Sequence, residues 1–121
     1  MVANQARERR RAERRGHFAE YAAALFLLAK GYRILAIRFR TKAGEIDLVA
    51  RKGDLAVFVE VKARVGEREA VDAVSATTQR RIRAASDIWL SRRPDAARLS
   101  QRYDVVAVLR GRLPRHFPDA F

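Results

Sequence analysis

Three charged residues inside apolar segments have the types and spacing to do chemistry: Asp47, Glu60 and Lys62. Two neighbouring carboxylates repel each other unless a cation lies between them, and hard divalent cations such as Mg²⁺ prefer carboxylate and carbonyl oxygens. A metal bound there would polarise a phosphate and acidify a water. Lys62 would orient that water or neutralise developing negative charge. This set therefore predicts metal-assisted hydrolysis of a phosphodiester.

A β-hairpin is expected to position these residues. Segments 45–50 and 55–62 are rich in Val, Ile and Phe, which favour strands, and Lys52-Gly53-Asp54 between them is a turn sequence. We therefore predict two antiparallel strands joined by a tight turn. Side chains alternate between the faces of a strand, so the turn decides which residues meet.

Two registers are compatible with the turn. If Lys52 and Gly53 form its centre, Asp47 lies diagonal to Glu60, and if Gly53 and Asp54 do, Asp47 lies directly opposite Glu60. Either register places the two carboxylates on one face, roughly 5–8 Å apart between Cβ atoms. A three-residue loop would break this parity. On spacing alone, a solvated pair of Glu60 and Lys62 on the outer face of the hairpin is the alternative.

Composition limits the class of protein. The chain has 121 residues, of which 49% are hydrophobic, and this suits one packed domain. With no cysteine, disulfides and thiolate metal sites are excluded. Because there is neither a secretory signal nor an apolar run of roughly 20 residues, we expect a cytoplasmic protein that does not associate with a membrane.

The charge is strongly unbalanced. The formal net charge is +12, which favours a polyanionic partner, nucleic acid first. A solvated charged surface and an anionic membrane are the alternatives. Within this excess, Arg38 and Lys42 are expected to place positive charge beside the acids, and Arg64 to contact a phosphate.

The first part of the chain is predicted to be an arm followed by a helix. Residues 1–15 are Arg-rich and read as a disordered basic arm, and residues 16–121 as a single domain. Segment 16–30 has helical spacing, and Gly31 is expected to end that helix. Its inward side chains are predicted to be Phe18, Ala22, Leu25 and Ala29.

The remaining elements alternate between strands and a helix. Segment 32–40 is predicted to be a strand, 70–91 a helix, 103–109 a strand and 113–117 a short edge strand. The inward side of the second helix is predicted to carry Val74, Thr78, Ile82, Ala85 and Trp89, and Trp89 is assigned to the core. This order predicts one α/β domain with a mixed central β-sheet flanked by helices.

The motifs together resemble a known family. Gly44-Glu45-Ile46-Asp47-Leu48-Val49 and Phe58-Val59-Glu60-Val61-Lys62 resemble the YraN family of predicted endonucleases, within the PD-(D/E)XK nuclease-like superfamily. Asp47 matches the acidic residue of the superfamily, and Glu60 with Lys62 matches its E-x-K pair. Further matching segments are Gly16 with Glu20 and the helix that follows, and residues 31–35, 102–106 and 119–121. The resemblance covers nearly everything from Gly16 to the C-terminus.

The resemblance implies a fold and an activity. It implies an α-β-β-β-α-β core like that of restriction endonucleases, and an endonuclease that hydrolyses DNA rather than RNA with Mg²⁺ or Mn²⁺. The implied catalytic residues are Asp47, Glu60 and Lys62, and the implied metal ligands are Asp47, Glu60, the Val61 carbonyl and Glu20. Cleavage of both strands would imply a homodimer.

The second helix is where the family pattern is only partly kept. Superfamily members often use a polar or basic residue of this helix at the site or on the DNA backbone, which here implies Gln79, Arg80 and Arg81. Thr78 stands where a Lys is expected before Gln79. Asp104 also matches the family, and we expect it to anchor an Arg or cap a loop.

Two rival interpretations remain open at this stage. A non-catalytic nucleic-acid-binding module would keep the fold and the acids, because fold alone does not imply activity. An interaction subunit of a DNA-processing assembly is the second rival.

Overall fold

The computed structural model describes residues 2–63, 70 and 73–121. Helix α1 spans Val2–Ala29 and is followed by strands β1 (Arg33–Arg40), β2 (Glu45–Lys52) and β3 (Leu55–Lys62). Helix α2 (Ala76–Ser91) and a short 3-10 helix (Ala96–Arg98) lead to strands β4 (Ser100–Ala107) and β5 (Arg115–Phe117).

The five strands form one mixed sheet in the order β1-β2-β3-β4-β5. All neighbouring pairs are antiparallel except β3 and β4, which are parallel. A parallel pair needs a crossover, and α2 lies in it. The chain is thus a single small α/β domain, consistent with the predicted restriction-endonuclease-like core.

The two helices cover opposite faces of the sheet. Val57 and Val59 pack with Ala23 and Leu27 of α1, whereas Phe58 between them packs with the α2 side. On the α2 side, Phe58 meets the Trp89 ring edge-on, with ring centroids 5.7 Å apart. The assignment of Trp89 to the core is therefore confirmed, as are the inward positions of Ile82 and Ala85.

Helix α1 differs from its prediction at its start. It begins at Val2, so the segment expected to be a disordered arm is helical in the structure. The reason is composition, because Ala, Arg, Glu and Gln are strong helix formers. The division of the chain into an arm and a domain stays a prediction.

The inward face of α1 was predicted wrongly. Phe18 and Leu25 are 71% and 67% exposed, and the side chains that pack on the sheet are the small Ala19, Ala23 and Ala24 with Leu27. Small residues let the helix lie close to the sheet. The face of α1 that carries small side chains is therefore buried, and the face with the larger apolar side chains is exposed.

Other boundaries shift by a few residues. Helix α2 begins at Ala76 and not at residue 70, because the extended Ser75 caps it by accepting a hydrogen bond from the Thr78 N–H. Strand β4 begins at Ser100, ahead of the predicted residue 103, and β5 is shorter than predicted. Among the described residues, none of the helices has the length and apolar character needed to cross a bilayer.

Gly44 joins the hairpin to α2 by close backbone contact. A Cβ atom added at Gly44 would lie 2.2 Å from the Arg81 carbonyl oxygen. Thr41 closes the same loop, since its hydroxyl donates to the Gly44 carbonyl at 2.8 Å. Only a residue without a side chain fits here, three residues before Asp47.

Replacing Gly44 with Ala is expected to destabilise the protein by about 1–3 kcal/mol through overpacking against the α2 backbone. Gly16→Ala is the matched control, because Gly16 lies within α1 with nothing near its Cβ position, and it is expected to stabilise by about 0.5–1 kcal/mol. Urea denaturation of the three proteins measures both effects. Equal stability of Gly44→Ala and the wild type would contradict the contact.

Candidate active site at a fork in the sheet

The site lies where the sheet divides. Pairing between β2 and β3 ends at Leu48 and Val59, yet β2 stays paired with β1 as far as Glu45, and β3 stays paired with β4 as far as Lys62. Beyond Leu48 the sheet is therefore two separate pairs of strands. Asp47 and Glu60 lie in this opening.

The turn sets the register at the fork. Lys52 pairs with Leu55, so Gly53 and Asp54 form the turn, and Gly53 has a φ of 60°, which suits glycine. Extending this register one residue past Leu48 and Val59 places Asp47 opposite Glu60. Of the two predicted registers, the structure has the second.

The Asp47 carboxylate spans the fork. Its Oδ2 atom accepts a hydrogen bond from the Val61 N–H at 2.8 Å. That backbone donor would otherwise lack its partner in the β2–β3 ladder, and an unpaired buried N–H is costly. The contact therefore satisfies the opened strand and fixes the carboxylate beside β3.

Simple alternation fails beside the fork. Ile46 packs on the α2 side and Leu48 on the α1 side, although they are two residues apart. Ile37 and Phe39 on β1 show the same switch, and Arg38 between them has a φ of 56°. Alternation counted from the turn therefore does not continue past Leu48 to the start of β2.

Lys62 lies beside Glu60. Its Nζ atom is 3.5 Å from Glu60 Oε1, and the two side chains are only 19% and 14% exposed. The pair is thus half enclosed, and not the solvated pair considered as the alternative. The predicted E-x-K residues are brought together.

Burial disfavours the charged form of both acids, and the charge of Glu60 adds to this effect at Asp47. Burial, followed by the charge of Glu60, raises the pKa of Asp47 to about 8, although the Val61 N–H opposes the shift. Burial likewise raises the pKa of Glu60, and Lys62 partly offsets this. A bound cation would favour the charged form of both carboxyls and would therefore stabilise this site.

Glu20 of α1 lies close to these acids but is engaged elsewhere. Its charge contributes to the raised pKa of Asp47, and its carboxylate pairs with Arg38 at 2.5 Å. In the described ranges, no three or more carboxylate or imidazole side chains are grouped as a ready metal site. Asp47 and Glu60 are therefore the two acids that the structure sets side by side.

Of the residues predicted to contact nucleic acid, some are engaged within the fold, some are exposed, and one lies outside the described residues. Arg38 is taken by Glu20 and also lies over the Tyr21 ring, 5.8 Å from its centroid. Gln79 is partly used by the fold, since its Nε2 donates to the Val74 carbonyl. The exposed residues are Lys42, Arg80 and Arg81. Arg64 lies outside the described residues.

A second buried polar cluster was predicted from the sequence only in part. Asp104 is fully buried and accepts hydrogen bonds from Arg102, the Asp119 N–H and the His116 ring. Burial raises the pKa of Asp104, but these bonds together outweigh it and lower the pKa to about 2. The expectation that Asp104 anchors an Arg is confirmed. The signal for a buried acid was its place between Tyr103 and Val105, whereas nothing in the sequence pointed to His116.

The raised pKa of Asp47 predicts a pH dependence of stability. In the metal-free protein, folded Asp47 keeps its proton up to about pH 8, whereas the unfolded chain, with an Asp pKa near 3.9, releases it near pH 4. The stability that this proton contributes is fully present below about pH 4, and it is lost as pH rises through 8. The free energy of unfolding should therefore fall between pH 5 and 9, and Asp47→Asn should flatten that fall.

Asp95→Asn is the control for this measurement. The hydrogen bond from Arg51 lowers the pKa of the Asp95 carboxyl, and the ionic partners of Asp95 are arginines. The stability that Asp95 contributes is therefore complete above about pH 4 and is lost only at lower pH. Asp95→Asn should lower stability without changing the slope between pH 5 and 9. Urea denaturation in EDTA gives the slopes, and an unchanged slope in Asp47→Asn would contradict the burial of that carboxyl.

Sequence comparisons place this site in a family. The profile of "Uncharacterised protein family UPF0102" matches residues 19–108. A UPF0102 protein of Rhizobium leguminosarum is 74% identical over 113 residues, 93% of each chain, and one of Agrobacterium fabrum is 66% identical over 120 residues, 99% of this chain and 98% of the relative. UPF0102 is the YraN family, so the resemblance is confirmed. This chain belongs to the UPF0102 family.

Proposed function

We propose that this protein is a divalent-metal-dependent endonuclease that hydrolyses phosphodiester bonds in DNA. The observation that carries the proposal is the fork, where Asp47 bridges to the Val61 N–H opposite Glu60 and Lys62 lies 3.5 Å from Glu60. Two carboxylates and an ammonium are held there by backbone register, half shielded from water. The net charge of +12 suits a polyanionic substrate.

The donor set fits a hard cation such as Mg²⁺ or Mn²⁺. Asp47 and Glu60 would hold the ion, with the Val61 carbonyl as a further oxygen ligand. The bound ion would supply Lewis-acid polarisation of the phosphate and a more acidic water. Glu20 would join the shell only by leaving Arg38, because the structure pairs these two side chains.

Lys62 is assigned to the reacting phosphate. Its ion pair with Glu60 directs the ammonium to the same opening as the acids. There it would donate a hydrogen bond to the attacking water or to a phosphate oxygen as negative charge develops. Because Lys62 is assigned to the water or the phosphate and not to the metal, its removal should slow the reaction far more than it weakens metal binding.

The surrounding cations would bind the substrate backbone. Gly44 against the Arg81 carbonyl brings the β1–β2 loop, with the exposed Lys42, next to α2. Arg80 and Arg81 are exposed on that helix. These residues would neutralise phosphates without reading base sequence, so binding should weaken as salt rises.

A binding module without catalysis is the second candidate. One observation favours it, since the carboxylate of Glu20 is tied to Arg38 and leaves two acid side chains at the fork. This candidate predicts salt-sensitive DNA binding with no Mn²⁺ uptake.

Mn²⁺ titration calorimetry separates the two candidates. The wild type should bind Mn²⁺, and Asp47→Ala and Glu60→Ala should lose that binding, because each removes one of the two facing carboxylates. Lys62→Ala should keep Mn²⁺ binding but cleave linear or branched DNA about 10²–10⁴-fold more slowly. Asp54→Ala removes an exposed acid of the same hairpin and should match the wild type in both assays.

The contradicting results are specific. If the wild type binds no Mn²⁺, even with a DNA duplex present, the metal mechanism is wrong and the binding module stands. If Asp47→Ala binds Mn²⁺ as tightly as the wild type, the metal site is not at the fork.

A further inference from the structure

The exposed side of α1 carries large apolar side chains. Phe18, Tyr21, Leu25 and Leu28 are 71%, 51%, 67% and 50% exposed, while the opposite side of the helix is buried on the sheet. Their spacing of three, four and three residues aligns them along one helix face. We name this set the α1 stripe.

The α1 stripe has no charge. Between His17 and Ala29 the only residue with a formal charge is Glu20, and its side chain is buried against Arg38. A third of this chain is charged, so an uncharged apolar face of three turns stands out from the rest of its surface. Exposed patches of this kind mark interaction sites.

We infer that the α1 stripe is the seam of a homodimer in which the α1 helices of two copies pack antiparallel. A spacing of alternately three and four residues is the one that pairs helices side by side. With the two-fold axis at Ala23, Phe18 faces the partner's Leu28 and Tyr21 faces the partner's Leu25. Each aromatic ring thus meets a leucine, and the stripe complements itself.

Charge selects the antiparallel direction. The first half of α1 is strongly basic, and Arg7, Arg9 and Arg10 are all exposed there. In a parallel pair these segments would lie side by side and repel. In the antiparallel pair the two copies of Arg10 lie about 40 Å apart along the seam, at a rise of 1.5 Å per residue, well beyond the Debye length.

The surface available is of the right order for a dimer. Four such side chains that expose half or more of their surface offer roughly 400 Å² on each copy. A specific interface buries at least about 1,000 Å² in total, or about 500 Å² on each copy, so flanking residues such as His17 and Ala29 need to supply only about 100 Å². Because the α1 stripe is apolar and complements itself, it matches a second copy of the chain. Because it is uncharged, it has no groups that would bind a polyanion.

The seam also touches the candidate active site. The Tyr21 ring lies under Arg38, and Arg38 pairs with Glu20. A partner copy that covers Tyr21 would therefore contact the surroundings of Arg38, the side chain that pairs with Glu20. The dimer itself does not depend on the proposed nuclease activity, since it rests on the stripe alone.

Light scattering on the full chain measures the oligomeric state. The wild type should show twice its monomer mass of 13.8 kDa at about 50 µM. Leu25→Glu should raise the dimer dissociation constant at least tenfold, and its circular dichroism should match the wild type because Leu25 is exposed. Leu113→Glu is the control, since Leu113 is 80% exposed but lies outside the stripe, and it should stay dimeric.

Introduced cysteines measure the direction of pairing, because the chain has none of its own. Phe18→Cys mixed with Leu28→Cys should give an oxidised cross-link, and either variant alone should not. Cross-linking of Leu28→Cys with itself would overturn the antiparallel arrangement. A monomeric wild type at 100 µM would overturn the dimer, and so would a monomer that binds anionic vesicles through Leu25.

Discussion

The hydrogen bond from the Val61 N–H to the Asp47 carboxylate is the contact on which the site depends. A sheet normally satisfies its backbone by continuous pairing, and opening it exposes donors that must find other partners. Here the opening between β2 and β3 is closed by one side chain. The same carboxylate is thereby held opposite Glu60, where burial makes its charge expensive.

Neighbouring elements hold both arms of the fork in place through backbone contacts. Strands β1 and β4 stay paired along its two arms, and Gly44 fixes the start of β2 against the backbone of α2. At the other end of the hairpin, the buried Arg51 donates to Asp95 and to the Gly53 carbonyl, which ties the turn to the 3-10 helix. Both ends of the hairpin are thus anchored to other elements of the fold.

Charge is distributed unevenly between two polar clusters. Asp104 is surrounded by Arg102, His116 and a backbone N–H, which lower its pKa and make it a structural anchor. Asp47 and Glu60 have fewer donors around them, and their pKa values rise. The two clusters are therefore suited to different tasks, and the cause is the number of hydrogen-bond donors that each carboxyl meets.

The sequence alone was enough to predict the hairpin, the order of the elements and the E-x-K pair, because strand periodicity and turn residues act over a few positions. It also identified Asp104 as an anchor for an arginine. The buried face of α1, where small alanines pack and Phe18 stays exposed, was set by packing between distant segments. The pairing of Glu20 with Arg38 and the loss of alternation at Arg38 were likewise hidden. These features depend on how closely distant segments approach, and local sequence patterns carry no measure of that distance.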